Sequence, residues 1–259
     1  MTFTTRLTIA IAVIGIGALL LFGAVFYSHT SKKLKEKALH EAANQISILS
    51  TQVRHLLLKE IKAANIMANT PLIESALRES NNRYFEYDQV RREETIEELN
   101  RRWMEGTENS SFVRSYLDNP VSEFLKKQQF SLPGEYGEIF LTNRYGALVG
   151  STSKLTTFNH QHKYWWQGAF SDGEGRVFID DRGFDTSVGG YVLGIVVPIH
   201  SKNRISGILK CNINIISFLQ NLLEYKDAFG DEWTLQIARS NGGVILSEGT
   251  KPLSTSVSE

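Results

Sequence analysis

The densest group of chemically capable side chains lies at 160–166, His-Gln-His-Lys-Tyr-Trp-Trp. His160 and His162 alternate, and alternate residues of a strand share a face, so on a strand they could ligate a metal. No carboxylate or third histidine is identified beside them, and neither a metal nor a cofactor is expected. Trp165 and Trp166 are adjacent. On an extended segment they point to opposite sides, so one packs while the other faces a pocket, or both pack. Phe184 and Tyr191 are pocket walls or simply core. Asp180 and Asp181 suggest a hydrolytic pair only by adjacency. Adjacent carboxylates in a turn point apart, so they read as solvated turn acids.

The motifs of common catalysts are absent from the sequence. There is no Gly-x-x-x-x-Gly-Lys-Ser/Thr phosphate loop, no Gly-x-Ser-x-Gly elbow and no His-Glu-x-x-His. Gly173-x-Gly175 lacks the strand-to-helix context of a dinucleotide site and reads as a turn. With no nucleophile–base pair, the chain is expected to sense rather than catalyse.

These side chains must be positioned by the stretch 136–213. Its pattern gives a strand at 138–142, a turn at 143–146 and a returning strand from 147 to 152, a hairpin by composition and spacing. Strands follow at 176–180, 191–199 and 205–213, and a helix at 216–225. Upstream, Asn119-Pro120 opens a short helix that turns Val121, Phe124 and Leu125 inward. The charged segment 88–102 is a helix with Val90, Ile96, Leu99 and Trp103 available for one buried face. Antiparallel strands with helices before and after predict an α+β layer. Cys211, the single cysteine, excludes an internal disulfide and lies in an apolar-alternating run as a core thiol.

The chain has 259 residues, with 28 Lys plus Arg against 28 Asp plus Glu, so nothing in its global charge draws it to nucleic acid. Residues 7–27 (LTIAIAVIGIGALLLFGAVFY) carry no charge and match the ~20 residues needed to span a bilayer. The apolar run is longer than the ~7–15 residues of a signal peptide and lacks its small-residue cleavage site, so an uncleaved anchor is expected. Four lysines at 32, 33, 35 and 37, against Arg6 before the span, would alone put the C-terminal side in the cytoplasm.

After the span, Leu39, Ala42, Ile46, Leu49, Val53 and Leu56 recur at steps of three and four, a heptad seam. No proline or glycine interrupts 24–70, so the span and this helix should be nearly continuous until Asn69-Thr70-Pro71. The seam serves either an amphipathic helix lying on its own domain or a homodimer formed through residues 34–68.

The ordered set IFLTNRYGALVGST, a loop ending in Trp165-Trp166-Gln167, Gly173-x-Gly175, Phe184-Asp185-Thr-Ser, GIVVPIH and ISGILKCNINI resembles the double Cache (PAS-like) extracytoplasmic sensor domain of bacterial and archaeal receptors. The resemblance runs from about residue 34 to the C-terminus and is strongest over 138–214. It implies a long N-terminal helix, a membrane-distal sheet that binds ligand and a smaller membrane-proximal sheet. It also implies that everything after the span is extracytoplasmic, against the lysine count. Amino-acid-binding members carry Arg-x-Trp-Tyr and a later Asp. The matching positions are Lys163, Tyr164, Trp165 and Trp166, with Asp185 the best match for the acid. Lysine attracts a carboxylate without the bidentate fork of arginine. Lys163 and Asp185 would suit a zwitterion, or form a plain surface pair.

The reading is therefore residues 1–6 cytoplasmic, 7–28 transmembrane, 29–225 long helix plus distal sensor domain, and 226–259 an incomplete proximal domain. The chain is expected to be the sensing region of a single-pass receptor in the inner or plasma membrane, surrounded there by lipid and lacking its output module. The expected ligand, a small polar molecule or carboxylate, would meet His160, Lys163, Tyr164, Trp165, Trp166, Phe184, Asp185 and Tyr191. The alternative is a membrane-anchored dimeric scaffold with no small-molecule ligand.

Overall fold

The computed structural model describes residues 2–132, 134–185, 188, 190–226, 234–238 and 244–247; the side chains of Phe184, Asp185 and Tyr191 lie outside that description. The chain divides into two compact units, Met1–Gln52 and Val53–Glu259. From Phe3 the first is helical, part of α1 (Phe3–Ala68), with no break where span and heptad seam join. Its apolar side chains, among them Ile14, Leu19 and Phe22, are exposed. This helix is long and apolar enough to cross a membrane.

The second unit is mixed α and β. The end of α1 leads to α2 (Pro71–Phe85), α3 (Gln89–Glu105), α4 (Ser111–Leu117) and α5 (Pro120–Ser131). Each of these four starts at a residue suited to capping. Thr70, Asp88, Ser110 and Asn119 accept from the backbone N–H three residues on, which satisfies a group the helix cannot. Pro71 and Pro120 occupy first-turn positions where a missing N–H costs nothing. On α3, Ile96 and Trp103 are buried as the pattern predicted, but Val90 is exposed, because it lies in the first turn before the helix reaches the core.

The sheet comprises β1 (Tyr136–Asn143), β2 (Leu148–Ser151), β3 (Phe178–Asp185), β4 (Gly190–Ser201) and β5 (Arg204–Asn214). Its order is β2-β1-β5-β4-β3, all antiparallel. The central strand β5 reads almost continuously buried rather than alternating, which requires cover on both faces. One face carries Ile139, Leu141, Leu209 and Cys211 in the core. Here Asn143 Nδ2 donates to Ser80 Oγ on α2 at 3.1 Å, and Tyr136 reaches Glu60 on α1. The opposite face carries Phe140, Thr142, Val196 and Ile208 and is covered by α6 (Tyr164–Phe170). A short 3-10 turn (Ser171–Gly173) follows α6.

A bulge divides β1. Tyr136 pairs with Ile213, yet Glu138, two residues later, pairs with the adjacent Asn212. The extra residue shifts the side-chain parity, so Tyr136 and Glu138 face opposite sides. After β5 come α7 (Ile215–Lys226) and the two-stranded pair β6 (Gln236–Ala238) and β7 (Val244–Ser247). The sequence predicts poor order after about Lys251, a stretch that lies outside the described residues.

Candidate ligand-binding site

Four cross-strand neighbours run across the α6-covered face: Glu138 on β1, Asn212 on β5, Gly194 on β4 and Asp180 on β3. Lys210, one alternation along β5, lies beside them. Glu138, Asn212 and Lys210 are buried, unusual places for polar and charged groups unless they are paired. They are: Lys210 Nζ donates to Asp180 Oδ2 at 2.8 Å, and the Tyr164 hydroxyl donates to Asp180 Oδ1. Asn212 Nδ2 donates to Glu138 Oε1 at 2.9 Å, with Ser153 Oγ at 3.4 Å from Oε2. Gly194 makes room for this row, since a Cβ there would stand 2.7 Å from Lys210 Cε and 2.9 Å from Asp180 Cβ.

Asp180 is thus not a solvated turn acid. Strand β3 runs through it, because Asp180 pairs with Gly194 and the irregularity in the ladder comes only afterwards, before Gly183. Its side chain is 12 % exposed.

The aromatic loop is also reshaped. Residues 164–170 form a helix, so the two tryptophans are a helical step apart rather than on opposite faces of a strand, and both are buried. Trp166 stacks on Phe170 at 4.7 Å and donates from Nε1 to Thr142 Oγ1 at 3.1 Å. Trp165 meets Phe140 edge-on at 5.6 Å and His160 at 5.5 Å, and its ring lies 4.5 Å from Lys210 Nζ. Both packing is the outcome, with Trp165 the one that borders the polar row. Lys163, half-buried, precedes the helix as its N-cap without a side-chain cap bond.

His160 is enclosed, 4 % exposed, and its backbone is fixed by bonds from its N–H to Gly146 O at 2.8 Å and from Lys163 N–H to its carbonyl at 2.9 Å. The segment before it is pinned by α3, where Asn100 Oδ1 accepts from Phe158 N–H and Trp103 Nε1 donates to Leu155 O. Among the described residues, neither ring nitrogen of His160 has a partner at hydrogen-bond geometry. Burial, then the charges of Lys210 and Lys163, hold the imidazole neutral, with its pKa near 3; the Thr157 backbone opposes this as the smallest influence. His162, by contrast, is exposed, so the two histidines do not converge.

The structure therefore gathers His160, Tyr164, Trp165, Asp180 and Lys210, and places Trp166 behind them in the core. The sequence alone does not mark Asp180 and Lys210 as ligand-binding residues. The available signal was a lysine inside the apolar run of a central strand, which needs an acid to be tolerated. Phe184, Asp185 and Tyr191 lie on β3 and β4, where Phe184 pairs with Tyr191 in the ladder.

No protein-family model matches the chain, and no curated protein matches it significantly. Solved structures do. The ligand-binding domain of the Campylobacter jejuni chemoreceptor Tlp3 with 4-methylisoleucine is similar over 70 % of this chain and 73 % of that one, at 19 % identity and a TM-score of 0.38. The sensor domain of the V. cholerae histidine kinase DctB is similar over 82 % and 67 %, at 12 % identity and TM-score 0.48. The ligand-binding domain of the Pseudomonas aeruginosa amino acid chemoreceptor PctC with GABA is similar over 60 % and 67 %, at 11 % identity and TM-score 0.36. All three are sensor or ligand-binding domains of their own proteins.

Proposed function

We propose that residues 53–226 form the small-molecule sensing domain of a membrane-anchored receptor, held outside the cytoplasm by the helix at 7–28, and that it performs no catalysis itself. The observation that carries this reading is the polar row under α6. A buried imidazole with no well-aligned hydrogen-bond partner among the described residues, beside a buried ammonium and carboxylate, weakens a fold that needed only a core, since each unsatisfied buried group costs roughly 1–3 kcal/mol. Such groups gather where a ligand supplies the missing partner. Their supports are rigid, a five-stranded sheet beneath and a helix pinned by Trp166 above.

The test is thermal unfolding of the full chain in lipid nanodiscs with small carboxylates, amino acids and amines. A ligand that binds only the folded state raises stability by about 2.7 kcal/mol at a hundredfold excess over Kd. At least one compound should raise the midpoint, and Tyr164→Phe or His160→Ala should weaken the effect. A flat response to every compound would transfer the chain to the scaffold reading.

A further inference from the structure

We propose that Lys210 is a built-in occupant of a cation seat, and that the site therefore takes small carboxylates carrying no ammonium group; this rests on the sensing reading above. A carboxylate and an indole face are together what recognises an ammonium ion. Asp180 and Trp165 supply both, and the chain's own lysine fills the place. Lys210 Nζ lies 2.8 Å from Asp180 Oδ2 and 4.5 Å from the Trp165 ring centre. The second carboxylate oxygen accepts from Tyr164. An incoming ammonium meets an acid with both oxygens engaged and an aromatic face already covered. Expelling Lys210 would strand a buried cation without its counter-ion.

An anion meets the opposite situation. The Lys210 ammonium has three N–H donors, one of them on Asp180. Neutral His160 has one N–H donor, and among the described residues only the Thr157 backbone acts on the ring as a hydrogen-bond partner, short of full hydrogen-bond geometry. Lys163 and Lys210 both act on the His160 ring as positive charges, so the potential there favours an anion. Glu138, further along the row, is engaged by Asn212 and Ser153.

The experiment uses the full chain in nanodiscs and matched sets on one carbon skeleton, such as butyrate, 2-aminobutyrate and butylammonium, extended to two- to six-carbon mono- and dicarboxylates. Wild type should show a midpoint rise of about 3 °C or more with one or more carboxylates. The matched amines and amino acids should give none. Lys210→Met should lose the carboxylate response and gain one to alkylammonium, which enters the vacated seat. Lys210→Arg, which refills the seat, should keep the carboxylate preference even if Lys210→Met fails to fold. Stabilisation of wild type by an amine or amino acid overturns the inference while leaving sensing intact. A response to no compound of any class removes the sensing reading and this inference with it.

Discussion

The hydroxyl of Tyr136 donates a 2.7 Å hydrogen bond to Glu60 Oε2, joining the first strand of the sheet to the last turns of α1. Both residues are buried, and burial raises the Tyr136 pKa well above its ordinary value. Tyr136→Phe leaves the Glu60 carboxylate short of a donor and should cost about 1–3 kcal/mol. Glu60→Gln keeps an acceptor without the charge and should cost less. Chemical denaturation of the three proteins reads the order directly. Equal loss in both variants would mean the bond contributes through packing alone.

Acid stability should depend on His160. Its folded pKa is near 3, against 6.5 for the free side chain, so below pH 6.5 the unfolded chain takes up a proton that the folded chain refuses. The contribution is complete above pH 6.5 and fades as pH falls towards 3, by at most about 5 kcal/mol. Lowering the pH from 7 to 4 should therefore destabilise wild type relative to His160→Phe, read from the unfolding midpoints of the two proteins. A constant gap would show that the imidazole is not held neutral by the fold.

Gly194 is the narrowest point of the polar row. Alanine there places a methyl against the Lys210 stem and Asp180 Cβ. The pair would have to spread, and disturbing a buried ion pair costs about 3–5 kcal/mol when one partner is lost outright. Gly194→Ala should fall somewhat short of that, and should reduce any ligand-induced rise in the unfolding midpoint. Retention of both full stability and ligand response would place the row in a more yielding part of the fold.

The side of the membrane is open to a labelling test. Cys211 is buried, so a cysteine introduced at exposed Glu108, in the polar loop before α4, supplies the accessible thiol. Glu108→Cys should react with a membrane-impermeant maleimide in intact cells, and deletion of residues 2–28 should move the protein out of the membrane fraction. Labelling only after lysis would reverse the topology and favour the lysine count.

Much of the fold was legible because it follows from local chemistry. Thr70, Asp88, Ser110 and Asn119 cap the helices they precede, and Pro71 and Pro120 mark the starts. The strands read from their β-branched runs. The site was less legible. The helix at 164–170 spans barely two turns, too short for periodicity to declare itself, so the sequence alone leaves its tryptophans with the alternation of an extended chain. Asp180 sits among Asp181, Arg182 and Gly183, residues typical of turns, and only its pairing with Gly194 keeps it in a strand. Its partner Lys210 is 30 positions away and meets it across β4, a relation set by sheet order rather than by any local pattern.

The bulge in β1 sets which surface each half of the strand serves. Residues two apart in a regular strand share a face, so without the extra residue Tyr136 and Glu138 would point the same way; with it, Tyr136 turns towards Glu60 and Glu138 towards Asn212. Deleting Gly137 would make the two residues neighbours, and a regular strand sends neighbours to opposite surfaces as well. Both buried carboxylates would then keep their partners, so the strand could lose the bulge without exchanging its halves. Residue identity at 137 is the tighter constraint, because a Cβ there would stand 2.6 Å from Val188 Cγ1.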